Sequence, residues 1–153
     1  MSNPNSAPLL ATLTATSVAG AVTVIQTTGL AECLDAYPQL MLRASIAGSA
    51  GGTTDVYLQS RHGSADWIDV AHFPQVAAGG ATVLYAAQLD RSAFALAPLV
   101  IGTAITPALA ANTVRPGDFG DALRMVIVGG AGSAGGAVST CDVYGCAAPG
   151  GRA

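Results

Sequence analysis

The chain has 153 residues, which is the length of one domain and enough to bury a hydrophobic core without metal ions or disulfides. Only 10% of the residues are charged, all six basic residues are arginine, and the formal net charge is −3. Such a chain lacks the basic field that holds a phosphate backbone or an anionic membrane surface. The composition therefore argues against nucleic-acid and membrane binding, and we expect neither partner.

The two ends of the chain, residues 1–8 and 147–153, are rich in proline, asparagine, glycine and alanine and show no packing pattern. We predict an extended arm at each end, with one domain at residues 9–146 between them. The N-terminus lacks the basic segment and the uninterrupted apolar run of a secretory signal, which predicts synthesis in the cytoplasm. Pro98 and Pro107 interrupt the most apolar stretch, so it does not predict a membrane-spanning helix.

Short runs of β-branched and other apolar residues, bounded by glycine, serine, asparagine and proline, recur along the chain and predict strands. The predicted strands are Leu10–Thr16, Ala21–Thr28, Gln39–Ala47, Thr54–Ser60, Trp67–Phe73, Ala81–Leu89, Leu99–Thr106, Ala122–Gly129 and Ala137–Gly145. Amphipathic helix periodicity is hard to find between them. The pattern predicts an all-β fold, namely a single antiparallel β-sandwich or jelly-roll-like domain with extended terminal arms.

Alternation of apolar and polar residues along these strands identifies the side chains that face the core. The predicted core consists of Leu40, Leu42, Ile46, Val56, Leu58, Ile68, Val70, Leu123, Met125 and Ile127. The segment Leu123–Val128 is apolar at most positions on both faces, which is typical of a central strand. We therefore expect it to lie between two other strands of its sheet.

The glycine-rich segment after the eighth predicted strand raises the question of a nucleotide site. Gly130, Gly132 and Gly135 fit the spacing G-x-G-x-x-G of dinucleotide-binding loops. The segment that follows, Ala137–Tyr144, is strand-like and offers no helix N-terminus for a phosphate. We predict turns between strands here, and no cofactor.

Three cysteines, Cys33, Cys141 and Cys146, form no C-x-x-C pair and lack the spacing of a zinc site. Cys141 and Cys146 would lie far apart on opposite faces of one strand, which excludes a disulfide between them. We predict unpaired thiols that act as small core residues. The candidates for calcium are two aspartate pairs, Asp66 with Asp69 and Asp118 with Asp121, but neither has the spacing of a calcium-binding loop, and we expect no bound metal ion.

Two histidines and two nearby carboxylates are the candidates for catalysis: His62, His72, Asp66 and Asp69. Period-two alternation along Asp66–Phe73 places Asp69 on the opposite face from His72, so the two would not form a pair. No G-x-S-x-G nucleophile turn accompanies them. We predict no catalytic residue, and that the protein is not an enzyme.

Aromatic residues make up 5% of the chain, which leaves little material for a sugar-binding platform. Trp67 and Tyr85 are the candidates for stacking on a sugar. The segment Gln59–Trp67 resembles an Asp-box hairpin that closes with a tryptophan, but His62 stands where that motif has aspartate. We predict an ordinary hairpin whose Trp67 covers one end of the sandwich.

Several segments occur in a recognisable order: a DVYLQ strand, a glycine-containing hairpin with a tryptophan, a DVAHF strand and a GDALR strand. They are Asp55–Gln59, Gly63, Trp67, Asp69–Phe73 and Gly120–Arg124. This order resembles that of small β-sandwich structural proteins of tailed bacteriophages, over about Leu40–Tyr144. The resemblance implies a non-enzymatic virion protein, and that family includes capsid decoration proteins.

We therefore expect a decoration or cement subunit on the capsid exterior that clamps neighbouring major capsid proteins and is made in the host cytoplasm. The low charge agrees with this, because such a subunit buries surface against the shell and against its own copies. A homotrimer is expected, since a capsid lattice offers local three-fold sites. The alternatives are a tail or head–tail connector protein of the virion, and a glycan-binding adhesin module.

Overall fold

The structure is a computed structural model, and it describes residues 7–31, 34–62, 66–91, 109–115 and 119–146. These residues form nine strands and one 3-10 turn, and they contain no α-helix. The strands are β1 (Leu9–Thr16), β2 (Thr23–Ala31), β3 (Gln39–Ile46), β4 (Thr54–His62), β5 (Asp66–His72), β6 (Val83–Asp90), β7 (Thr113–Val114), β8 (Ala122–Gly129) and β9 (Val138–Cys146). The 3-10 turn, Leu34–Ala36, lies between β2 and β3.

The strands form two antiparallel sheets that pack face to face. The four-stranded sheet has the order β1-β9-β3-β6, and the five-stranded sheet has the order β2-β8-β4-β5-β7. The first four strands alternate between the two sheets. Within the four-stranded sheet β9 lies between β1 and β3, and within the five-stranded sheet β8 lies between β2 and β4. Apart from the two-residue β7, this is the strand order of an eight-stranded jelly roll. The predicted fold class is confirmed.

Eight of the nine predicted strands overlap an observed strand. The remaining one, Leu99–Thr106, lies outside the described residues, as do residues 1–6 and 147–153 of the predicted arms. The short β7 was not predicted, because two residues cannot show a period. It pairs with the end of β5 through Ala71 and His72.

All ten residues of the predicted core are buried, with at most 8% of each side chain's surface exposed. The core is completed by Leu13 and Val143 from β1 and β9, and by Leu34 and Phe119 from connections between strands. Every residue of β8 from Ala122 to Ile127 is buried, which confirms that this strand is central. Residues such as Phe119 escape prediction because a connection has no alternating pattern.

The first and last strands of the sandwich are neighbours. Leu9 of β1 lies opposite Tyr144 of β9, and the backbone N–H of Gly145 donates to the carbonyl of Pro8 at 3.0 Å. The described chain therefore enters and leaves the sandwich at the same corner of the four-stranded sheet.

At one end of the sandwich, the β3–β4 and β8–β9 connections pack backbone against backbone. The hydroxyls of Ser49 and Ser133 lie 2.7 Å apart, and both side chains are buried. A Cβ on Gly52 would come within 2.5 Å of the backbone nitrogen of Ser133. Glycine is required at this position because the two loops leave no space for a side chain. The glycine-rich segment after β8 thus forms a turn between strands, as predicted.

A β-bulge in β5 changes which side chains share a face of the five-stranded sheet. Leu58 pairs with Ala71 and the next residue, Gln59, pairs with Asp69, so Val70 has no partner on β4. An extra residue of this kind reverses the alternation beyond it. Asp69 and His72 consequently lie on the same outer face, and the prediction that they lie on opposite faces is wrong. Counting by two fails because it assumes a strand without a bulge.

Candidate functional site

The outer faces of the two sheets differ in their exposure. On the five-stranded sheet, polar side chains that would ordinarily be solvated are almost fully buried: Gln59 is 3% exposed, and His72 and Arg124 are each 5% exposed. On the four-stranded sheet, apolar side chains are exposed instead. We call the first group the polar cluster, which consists of Asp55, Tyr57, Gln59, Trp67, Asp69, His72 and Arg124, and the second surface the open face.

His72 is held in the polar cluster by three neighbours. Its ring stacks on Tyr57 with the centroids 3.8 Å apart and the planes at 18°. Its Nε2 lies 3.1 Å from Oδ1 of Asp55, and its Nδ1 lies 2.8 Å from the carbonyl oxygen of Leu109. Both ring nitrogens are therefore engaged by oxygen atoms that are not hydroxyls. This is a structural arrangement and differs from that of a general base aimed at a serine.

Asp69 binds the same peptide segment as His72. Its Oδ1 accepts a hydrogen bond from Nε2 of Gln59 at 2.9 Å, and its Oδ2 accepts one from the backbone N–H of Leu109 at 3.1 Å. Arg115, six residues later, donates from its backbone to the carbonyl of Val70 and from Nε to the carbonyl of Asp69. These bonds fasten the segment 109–115 to β5. The bulge makes this possible, since it turns Asp69 and His72 to the same side.

Arg124 is the centre of the other half of the cluster. Its Nε and Nη2 both donate to Oε1 of Gln59, at 3.0 and 2.8 Å, and its guanidinium lies 4.0 Å from the ring centroid of Trp67. Burial lowers the pKa of Arg124, and the charge of Asp69 opposes this shift. Trp67 therefore packs on the outer face of the sheet and does not cover the end of the sandwich as predicted.

Tyr57 contributes a neutral group to the cluster. Burial raises the pKa of the Tyr57 phenol, and the nearby charges of Asp55 and Asp69 raise it further. The phenol therefore stays protonated at neutral pH. A neutral ring thus stacks on His72 close to the carboxylates of Asp55 and Asp69.

The remaining candidates from the sequence are placed as follows. Asp121 accepts two hydrogen bonds from the guanidinium of Arg61, at 3.0 and 2.9 Å. Asp118 and Cys33 lie outside the described residues, and nothing is described of the side chains of His62 and Asp66. Within the described ranges, no group of three or more histidine, cysteine or acidic side chains is arranged to hold a metal ion. No helix in that part of the chain is long and apolar enough to cross a membrane.

Cys141 is buried on the inner face of β9, as predicted for a small core residue. Cys146 is half-buried on the outer face, so the two thiols lie on opposite faces as predicted, but the prediction that Cys146 is a core residue is wrong. Burial, with a smaller contribution from Asp142, raises the pKa of the Cys141 thiol to about 12. At pH 8 this thiol is protonated and unreactive, because the thiolate is the nucleophile. We expect iodoacetamide to modify Cys146 well before Cys141 in the folded protein, as measured by peptide mass spectrometry. The two should react at similar rates in guanidinium chloride, and equal rates without denaturant would contradict the described burial.

The open face consists of the outward side chains of β1, β9, β3 and β6. Arg43 lies directly opposite Asp142 on the neighbouring strand, and Thr12 donates a hydrogen bond to Asp142 at 2.6 Å. Apart from Asp90, which lies opposite Gln39 of β3, the other outward side chains of these strands are uncharged: Leu84 is 75% exposed and Val138 is 52% exposed. This combination of exposed aliphatic groups and few charges is that of a surface suited to burial against a partner.

The open face has a shallow depression between Arg43, Leu84 and Thr140, with a volume of about 170 Å³. Pockets for small ligands usually enclose about 300 to 1,000 Å³. Tyr85, one of the two candidates for stacking on a sugar, turns inward and packs on Phe73 with the ring centroids 5.9 Å apart. The geometry therefore favours a broad, flat partner.

Comparison of the chain with protein-family models, with curated proteins and with solved structures gives no match. The interpretation of the two faces consequently depends on their geometry. The sequence had indicated His72, Asp69 and Trp67, but it missed Gln59 and Arg124, which alternation alone places on a solvated face. The signal available for Arg124 was its position within an otherwise apolar central strand.

Proposed function

We propose that the protein is a non-enzymatic structural protein of a tailed-phage virion. Specifically, it would be a decoration subunit that binds neighbouring major capsid proteins on the capsid exterior. The open face carries this proposal. Among the described residues, it is the outer face that exposes large apolar side chains to solvent, including Leu84 and Val138. A protein that holds a shell together needs such a surface and no chemistry.

The size of the open face agrees with a stable contact. Four strands spaced about 4.8 Å apart, with eight residues rising about 3.3 Å each, give a face of roughly 19 by 26 Å. The flat projection of this face is roughly 500 Å², and its projecting side chains increase the accessible area. The accessible area therefore approaches the ~800 Å² that each partner buries in a standard interface. Three subunits around a local three-fold site of the lattice would multiply this area, so we keep the trimer as the proposed capsid-bound state.

The architecture and the sequence resemblance support the same conclusion. Jelly rolls are common among viral capsid domains, although the fold alone does not determine function. The candidate catalytic residues His72 and Asp69 use their polar atoms to fasten residues 109–115. A polar cluster occupied in this way stabilises the subunit and leaves the open face as the surface for a partner.

The test is cosedimentation with capsids of the phage that encodes the protein, purified without it. Wild-type protein should pellet with these capsids. Val138→Asp should weaken binding at least tenfold, because it places a charge within the apolar part of the interface. Val22→Asp is the matched control, since Val22 is 42% exposed but lies before β2, away from the open face. It should change binding less than twofold.

Two results would contradict the proposal. One is a wild-type protein that remains in the supernatant at saturating concentration. The other is equal binding by Val138→Asp and wild type, which would remove the open face from the interface. A hit for the wild type on a glycan array, without capsid binding, would favour the adhesin alternative.

A further inference from the structure

The outer edges of the two sheets are protected to different degrees. The outer edge strands are β1 and β6 in one sheet and β2 and β7 in the other. The pairing of β1 is irregular between Leu9 and Ala11, the pairing of β2 is irregular between Gln26 and Ala31, and β7 has two residues. Bulges and short length are devices that keep an edge strand from pairing with another chain.

The strand β6 has none of these devices. It pairs with β3 in unbroken register over eight residues, from Val83 opposite Ile46 to Asp90 opposite Gln39. From Val83 to Leu89 it contains no proline and no charged residue. Among the described residues, no strand pairs with its other edge. A long, regular edge strand whose first seven residues are uncharged is the kind that accepts a further strand.

The register shows which backbone groups of β6 point away from β3. The N–H of Arg91 donates to the carbonyl of Pro38 at 2.9 Å, so these two residues form a hydrogen-bonded pair of the ladder. Such pairs alternate with pairs that are not hydrogen-bonded. Tyr85, Ala87 and Leu89 therefore bond to β3, while the N–H and C=O groups of Leu84, Ala86 and Gln88 point outward.

We propose that β6 is the contact through which two copies of this chain pair in solution. The two β6 strands would run antiparallel about a two-fold axis at Ala86 and join the four-stranded sheets into one sheet of eight strands. Leu84 then faces Gln88 of the other copy, Val83 faces Leu89, and Ala86 faces its own counterpart. Leu84, Ala86 and Gln88 of the two strands would form six hydrogen bonds between the chains, two for each of three residue pairs.

The sequence of β6 itself favours a second copy of this chain as the partner of the edge. With the axis at Ala86, Asp90 falls opposite the uncharged Thr82, so no two charges of the same sign are opposed. With the axis at Ala87, Asp90 would fall opposite the apolar, 75% exposed Leu84. The strand is thus complementary to its own antiparallel copy in the first register, and the small Ala86 side chain allows the close approach at the axis.

This inference does not depend on the proposed capsid role. The contact at the β6 edge is formed by backbone groups in the plane of the sheet, whereas the open face is formed by side chains that project from it, so a two-fold contact joins subunits in pairs whatever the open face binds. We therefore expect the free protein to be a dimer, while the trimer stays the proposal for the capsid-bound state. Loss of capsid binding with an intact dimer would overturn the capsid role alone.

The test uses the fact that residue 86 meets itself across the axis. Wild-type protein in light scattering should have twice the mass of the 15.0 kDa chain. Ala86→Lys and Ala86→Glu should each be monomers, because two like charges would face each other. An equimolar mixture of the two should regain the dimer mass. Thr16→Lys, on the opposite edge strand β1, is the matched control and should remain a dimer.

A second measurement does not require a variant. Hydrogen exchange of the wild-type backbone at Leu84, Ala86 and Gln88 should slow at least tenfold when the concentration rises through the range of dimer formation. The inference is overturned if wild type is a monomer at millimolar concentration, if Ala86→Lys keeps the dimer mass, or if the mixture stays monomeric. Far-ultraviolet circular dichroism of each variant should match wild type. If Ala86→Lys is misfolded, the hydrogen exchange result decides.

Discussion

Replacing Gly52 with alanine should lower the free energy of unfolding by about 3 kcal/mol or more. The added Cβ would lie 2.5 Å from the nitrogen and 2.8 Å from the Cα of Ser133, and 2.9 Å from the carbonyl oxygen of Gly130. All three atoms belong to the backbone of the β8–β9 connection, so no rotamer change can relieve the collision. Urea denaturation of the purified variant measures this loss.

Gly136→Ala is the matched control for the loop collision. Gly136 lies in the same connection and has a φ of 77°, but a Cβ there would meet nothing within 4 Å. Its substitution should cost about 1 kcal/mol, from the left-handed backbone alone. A loss for Gly52→Ala no larger than that of Gly136→Ala would show that the two loops are not packed as described.

Replacing Arg124 with methionine should cost about 2 to 3 kcal/mol. The side chain gives two hydrogen bonds to Gln59 and packs its guanidinium on Trp67, in a region where Gln59 itself is 3% exposed. Methionine keeps the apolar stem but leaves Oε1 of Gln59 buried without its donors. A buried acceptor that loses its donors cannot bond to water instead. The resulting loss in the free energy of unfolding is therefore larger than the net contribution of the hydrogen bonds themselves. Thermal and urea unfolding both measure this difference.

Arg61→Met is the matched control for Arg124→Met, because Arg61 also forms two hydrogen bonds to a side chain and lies near Trp67. Its pair with Asp121 is solvent-accessible, with 27% and 48% of the two side chains exposed. A pair of this exposure contributes less than about 1 kcal/mol. Similar losses for the two variants would contradict the burial of the polar cluster.

The sequence predicted the parts of the fold that follow a simple period. Alternation in β3 and β4 placed Leu42 and Leu58 in the core, and the apolar character of β8 identified it as central. The bulge at Val70 could not be predicted, because it changes no residue type and becomes visible only in the register with β4. Contacts between residues far apart in the sequence could not be predicted for a similar reason. Leu109 lies 40 residues from Asp69, and no local pattern connects them.

The candidate site was predicted in part. His72 and Asp69 were singled out because they are chemically distinctive in a chain with few charges. Their hydrogen bonds to the backbone of Leu109 depend on the bulge and so could not be inferred from the sequence. The low charge of the chain predicted that some surface is suited to burial against a partner. The location of the open face on the four-stranded sheet could be identified only from the structure. Alternation separates the inner and outer faces of a strand, but it does not show which sheet's outer face is covered by other residues.

The proximity of Pro8 to Gly145 has a consequence for labelling. Because Pro8 and Gly145 are hydrogen-bonded neighbours, a fluorophore at Pro8 and one at Cys146 would be attached to the same corner of the subunit. That corner is separated from β6 by about three strand spacings, or roughly 14 Å. A donor dye at Pro8 and an acceptor at Cys146 would therefore be close within each subunit. Dyes on two different subunits would be separated by the full width of a joined sheet.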